Sequence, residues 1–166
     1  MIFVTVGTAV KGIEFTRLLE TMDRLAGELR LDVLLQCGSS PYEPKHARHV
    51  RFLSYNEALE QFRQCNLVVG HCGAGTILNA LRFGKPMILV PRRAGQGESA
   101  DDHQMELAAA LTDMEGVWVA YDVGDLERVL REVLQRLPVE SKPTPARLSL
   151  MAAIREFVEQ PAPAKR

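Results

Sequence analysis

The segment Val68-Val69-Gly70-His71-Cys72-Gly73-Ala74-Gly75-Thr76 is the part of this sequence best suited to chemistry. An apolar run stops, glycines follow, and a helix-forming stretch begins at once. Glycine lets the backbone approach a ligand closely. A helix starting there offers free N–H groups and about half a positive charge. Gly73, Ala74, Gly75 and Thr76 are therefore the candidate diphosphate site, with the Thr76 hydroxyl as a further donor. The alternative is a tight strand-to-helix turn that binds nothing. Neither GxxxxGK(S/T) nor GxGxxG occurs, which argues against an NTPase or an ordinary dinucleotide site.

A second candidate is the stretch from Pro91 through Arg92, Arg93, Gly95 and Gly97 to Asp102, His103 and Gln104. It follows an apolar run, so it sits at the carboxyl end of a strand, where open α/β sheets bind ligands. Asp102, His103 and Gln104 carry donors and acceptors suited to sugar hydroxyls. Arg92 and Arg93 suit phosphate or a uronic carboxylate, and solvent equally well. Read blandly, this is a solvated loop with Asp102 as a helix cap. Gly7 and Thr8 end the first apolar run and face the same crevice, either toward a ligand or as a plain strand terminus. His71 and His103 are the crevice histidines and the candidates for a base, although such a histidine more often holds loop geometry. No acidic cluster or DxD-type motif suggests a metal.

The elements that must position these residues alternate. Apolar runs at 2–6, 32–36, 49–53, 66–70, 87–90 and 117–121 read as strands. Between them, Phe15, Leu18, Leu19, Met22, Leu25 and Leu29 repeat at helical spacing, so 14–29 is a helix. Ser54 with Glu57 is a capping-box signature for a helix carrying Ala58, Leu59 and Phe62. Further helices open at Gly73–Thr76, at Asp101 or Asp102, and at Asp125. The pattern is β-α throughout, which predicts a Rossmann-like parallel sheet of about six strands with helices on both faces. That domain covers 1–137. A linker over 138–144, an amphipathic helix over 145–160 and a disordered tail over 161–166 complete the expectation. Thr144 and Pro145 cap the last helix, and Leu148, Met151, Ile154, Phe157 and Val158 form its apolar stripe. The stripe suits folding back on the sheet, docking a partner or forming a homodimer seam.

Composition narrows the function classes. The 166 residues carry 20 basic and 21 acidic side chains, a net charge of -1, which leaves no electrostatic footprint for nucleic acid. Cys37, Cys65 and Cys72 are odd in number and widely spaced, against a disulfide framework or zinc site and in keeping with a cytoplasmic setting. The apolar run at Met1–Val6 stops at Gly7, too short for a signal peptide or a membrane span.

With these motifs together, the chain resembles the C-terminal, donor-binding domain of the GT-B glycosyltransferases of family 28, a single half of the GT-B fold. The matching pieces are MIFVTVGT at 1–8, VVGHCGAGTILNAL at 68–81, GKPMILVPRRAGQGE at 84–98 and DDHQMELAAAL at 101–111. The likeness is to stand-alone forms of that domain, the small subunit of the eukaryotic dolichol-linked N-acetylglucosaminyltransferase and bacterial exopolysaccharide subunits; the PRRAGQGE loop resembles the bacterial branch. The resemblance implies inverting, metal-independent hexosyl transfer from a UDP-sugar, a substrate rather than a cofactor, to a polyprenyl-diphosphate-linked acceptor. It implies a membrane-associated partner that supplies the acceptor half and holds this chain at the inner face of the plasma membrane; from the one-domain length, the expectation is that the catalytic base also comes from the partner. It places the diphosphate at Gly73–Thr76, the sugar near Asp102, His103 and Gln104, and the uracil along Phe52, Leu53, Ser54 and Tyr55. Asn79 stands where many relatives carry a Glu that meets the ribose. The rival reading is a non-catalytic nucleotide-sugar-binding or partner-binding accessory module that regulates a separate transferase. An epimerase on the same fold would need a second domain.

Overall fold

The computed structural model describes residues 1–7, 14–138, 148–149 and 151–153. The elements run β1 (Ile2–Thr5), α1 (Thr16–Leu29), β2 (Val33–Gln36), β3 (Arg48–Val50), α2 (Tyr55–Gln64), β4 (Leu67–His71), α3 (Ala74–Arg82), β5 (Met87–Val90), α4 (His103–Leu111), β6 (Val117–Val119) and α5 (Val123–Arg136). All strand pairs are parallel, in the order β3-β2-β1-β4-β5-β6. The order reverses between β1 and β4, so their carboxyl ends diverge and open a crevice.

Side chains alternate across this sheet, and the core splits accordingly. Ile2, Val4 and Val6 pack with Leu18, Met22 and Leu25 of α1 and Leu126, Leu130 and Val133 of α5. Phe3 faces the other way, against Phe62 of α2, Ile77 of α3 and Leu111 of α4. Phe3 and Phe62 meet edge to face, with ring centroids 5.2 Å apart.

Three expected boundaries shift. β3 stops at Val50 because Gly38, with φ +58, turns the neighbouring chain away after its amide has met Arg51 O at 2.7 Å. β6 stops at Val119 because Pro91, which follows β5, has no N–H to continue the ladder. α5 begins earlier than Asp125, since Asp122 caps it by accepting from Gly124 N at 3.0 Å. Met151 packs against the α3–α4 core. Residues 148–149 and 151–153 of the expected last helix are helical. Thr8, the Thr144–Pro145 cap and the expected tail lie outside the described residues, as do residues 139–144 of the expected linker.

Candidate functional site

At the crevice, β4 ends at His71 and α3 begins at Ala74. Gly73 occupies the N-cap position without a side-chain cap, so the amides of Ala74, Gly75 and Thr76 face outward with no intrahelical acceptor. A Cβ built at Gly75 meets nothing within 4 Å, which leaves that side open. Gly73 and Gly7 are required for a different reason. The His71 ring lies so close to both that a Cβ at Gly73 would stand 2.2 Å from Nε2, and one at Gly7 2.6 Å from Cε1. Gly7 also has φ +67. His71 Nδ1 lies 3.4 Å from Thr76 Oγ1. Burial, reinforced by the Arg92 charge, pushes the His71 pKa down to about 4, so the ring is neutral at pH 7.

The turn borders a cleft of about 490 Å³. Its floor holds Thr5, Gln36 and Phe62, and its rim holds Leu53, Tyr55 and Asn79. Thr5 Oγ1 donates to Gln36 Oε1 at 2.6 Å and accepts from Gly7 N at 3.1 Å, which ties the ends of β1 and β2 together. Tyr55 lines the rim and is 67% exposed, whereas Phe52, 62% exposed, is not among the residues that line this cleft. Ser54 points elsewhere. Its hydroxyl accepts from Glu57 N, and its own amide donates to Glu57 Oε2 at 2.8 Å, completing the expected capping box.

On the other side of Gly73 and Ala74 lies a second cavity of about 400 Å³, mostly apolar, with Cys72, Leu107 and Ala153 in its walls. His103 lines it, and its Nδ1 is hydrogen-bonded to Asp101 Oδ1. Asp102 sits at the N-cap position of α4 but makes no cap bond there; its Oδ1 accepts from Ala94 N at 3.0 Å instead. Gln104 is buried, and its Oε1 accepts from Arg92 N at 3.1 Å. Both therefore shape the 91–102 loop.

The two arginines are likewise engaged. Arg92 is buried over the Phe15 ring and donates to Val6 O at 2.5 Å. Burial lowers its pKa, partly offset by Glu98. Arg93 donates to Tyr121 O at 2.8 Å and lies 3.6 Å from Asp122. The residue that holds this loop ends the 84–98 piece of the sequence, where its type and spacing give no sign of that role. Glu98 is 5% exposed and accepts from Arg17 Nε at 2.5 Å, from Arg17 Nη2 at 3.0 Å and from Arg93 N at 3.1 Å. No local pattern joins residues 81 positions apart. A further cavity of about 560 Å³, lined by Asn66, Lys85 and Pro138, lies at the opposite end of the strands.

The arrangement suits an extended anionic ligand. A diphosphate fits the uncapped α3 amides, a nucleoside the cleft on one side, and a further group the cavity on the other.

Comparison with known proteins identifies the family and the fold. The model of the glycosyltransferase family 28 C-terminal domain matches residues 1–157. The UDP-N-acetylglucosamine--N-acetylmuramyl-(pentapeptide) pyrophosphoryl-undecaprenol N-acetylglucosamine transferase of Phenylobacterium zucineum (strain HLK1) is 33% identical over 112 residues, 68% of this chain and 28% of that protein. The UDP-N-acetylglucosamine transferase subunit ALG13 of Cryptococcus neoformans is 40% identical over 77 residues, 45% of this chain and 36% of that protein. The aligned part thus spans only about a third or less of these curated relatives. Among solved structures, the ALG13 solution structure superposes with a TM-score of 0.63 at 18% identity, covering 96% of both chains. Acinetobacter baumannii MurG gives 0.60 at 16% identity, covering 93% of this chain and 49% of that one. At such identities the superpositions show the fold.

Proposed function

Because this chain belongs to the glycosyltransferase family 28 C-terminal domain family, whose model matches residues 1–157, we propose that it is the donor-binding subunit of a two-component UDP-sugar-dependent hexosyltransferase. The observation that carries this is the uncapped α3 N-terminus between two cavities at the switch point of the sheet. The UDP diphosphate lies on the amides of Ala74, Gly75 and Thr76. The uridine occupies the cleft bordered by Leu53, Tyr55 and Asn79, where the Asn79 amide meets ribose hydroxyls.

The second component is a membrane-associated subunit that presents a polyprenyl-diphosphate-linked acceptor. The two act at the cytoplasmic face of the plasma membrane in exopolysaccharide synthesis. Among the described residues no helix is long and apolar enough to cross a membrane, so in this reading the partner provides the membrane contact. An acceptor hydroxyl attacks the sugar C1 from the face opposite UDP. The new C1–O bond forms as the bond to the β-phosphate breaks, its electron pair leaves with UDP, and the configuration inverts. The hydroxyl proton passes to a base on the partner, since neutral His71 with a pKa near 4 is a weak base. The α3 N-terminus offsets the charge that develops on UDP, a role that a divalent cation plays elsewhere.

Calorimetric titration of the purified chain tests the donor site. UDP should bind in preference to ADP and GDP. Gly75→Asp, which projects a carboxylate into the open space at that position, should weaken UDP binding on the order of 100-fold. Equal binding of the three nucleotides, or an unchanged affinity in Gly75→Asp, would overturn the reading.

A further inference from the structure

The second cavity has a chemical character of its own. It shares Gly73 and Ala74 with the nucleotide cleft, so a group attached to a diphosphate on the α3 amides enters it directly. Cys72, Leu107 and Ala153 supply apolar walls. The polar side chains are His103 and Glu106. The His103 ring is tied through Nδ1 to Asp101, which leaves Nε2 for a ligand. The Glu106 carboxylate stands in the wall at an exposed position and makes no ion pair with any described residue. The cations that could read an acidic sugar are committed elsewhere. Arg92 is bound to Val6 O, and Arg93 to Tyr121 O beside Asp122.

We propose that Glu106, in the wall of this cavity, makes the sugar end of the donor site selective for an uncharged hexose over a uronic acid. The inference rests on the donor-site reading above and names the sugar class that site accepts. Glu106 accepts hydrogen bonds from hexose hydroxyls and repels a carboxylate at the same place. Ala153, from the C-terminal segment, forms the far wall, so the size of the subsite is set by a residue distant in sequence from the glycine turn.

The test is titration of the full chain with UDP, UDP-glucose and UDP-glucuronate, two sugars that differ only in the oxidation state of C6. The wild type should bind UDP-glucose about tenfold more tightly than UDP-glucuronate at low salt, with the ratio shrinking as salt rises. Glu106→Gln, an isosteric change at an exposed position, should bring the two within about twofold of each other. Ala153→Trp, also at an exposed position, should retain UDP binding while weakening both UDP-sugars. If UDP binds normally but the wild type does not prefer glucose, the selectivity assignment fails and the donor site stands. The assignment fails equally if Glu106→Gln leaves the ratio unchanged, or if Ala153→Trp binds UDP-glucose as the wild type does. If UDP itself does not bind, both readings fall together.

Discussion

His71 is held by what its neighbours lack. With any side chain at Gly7 or Gly73 the ring could not occupy its place, as the 2.6 and 2.2 Å approaches of a hypothetical Cβ show. The confined imidazole sits beside Arg92, and burial followed by that charge brings its pKa to about 4, below the 6.5 of a free histidine. The sign of the linkage follows. Between these two values the unfolded chain binds a proton that the folded one refuses, so stability present above pH 6.5 is lost as pH falls toward 4. The loss should be roughly 2 kcal/mol, given the partial exposure of the ring. Urea unfolding at pH 7 and pH 5 should show a decrease for the wild type that is smaller in His71→Gln. Equal decreases would mean that other groups govern the acid limb.

At the scale of elements, the 91–102 loop is the clearest case of a segment whose shape comes from buried charge. Glu98 gathers the Arg17 guanidinium and the Arg93 amide beneath the loop. Asp102 and Gln104 then fix Ala94 and Arg92 from the α4 side. Breaking this buried pair from one side leaves Arg17 with only its longer contact to Asp122, at 3.7 Å, so Glu98→Ala should cost about 3 kcal/mol. The double variant Arg17→Leu with Glu98→Leu should cost less than Glu98→Ala alone, because no unpaired charge remains. Thermal denaturation of the two variants measures the difference. A double variant less stable than Glu98→Ala would show that the pair contributes net stability beyond mutual neutralisation.

For the whole molecule, the reversal of strand order between β1 and β4 is the decisive feature. It gathers Gly7, the Gly73–Thr76 turn and the start of α4 at one end of the sheet, although the chain separates them by up to about a hundred residues. In the proposed enzyme the partner supplies the surface that faces this crevice. The isolated chain should therefore bind UDP-sugar yet transfer none of it, and transfer should appear on co-expression with the membrane-associated subunit. EDTA should leave the rate of that complex unchanged, since the proposed charge stabilisation comes from α3. Full activity of the chain alone would refute the two-component arrangement, and loss of activity with EDTA would refute the metal-independent one.

The sequence alone determined the element order. The apolar runs, the period of the α1 residues and the Ser54–Glu57 capping box are local signals, set by neighbours a few residues apart, and each appears in the structure where the pattern placed it. It also determined the family, whose model matches residues 1–157. Strand ends were less legible, because β3 and β6 stop where a neighbouring strand ceases to offer partners, through Gly38 and Pro91. Only the tertiary structure decided how the candidate polar residues are used. Asp102, Gln104, Arg92 and Arg93 read from sequence as ligands for a sugar or phosphate, and packing engages them with backbone groups of the loop and its surroundings. It also brought in Ala153, and Glu98 and Glu106, which lie inside the 84–98 and 101–111 pieces without a role readable there. Their roles arise from long-range proximity, and a hydrogen bond or a cavity wall between distant residues leaves no periodicity in the chain.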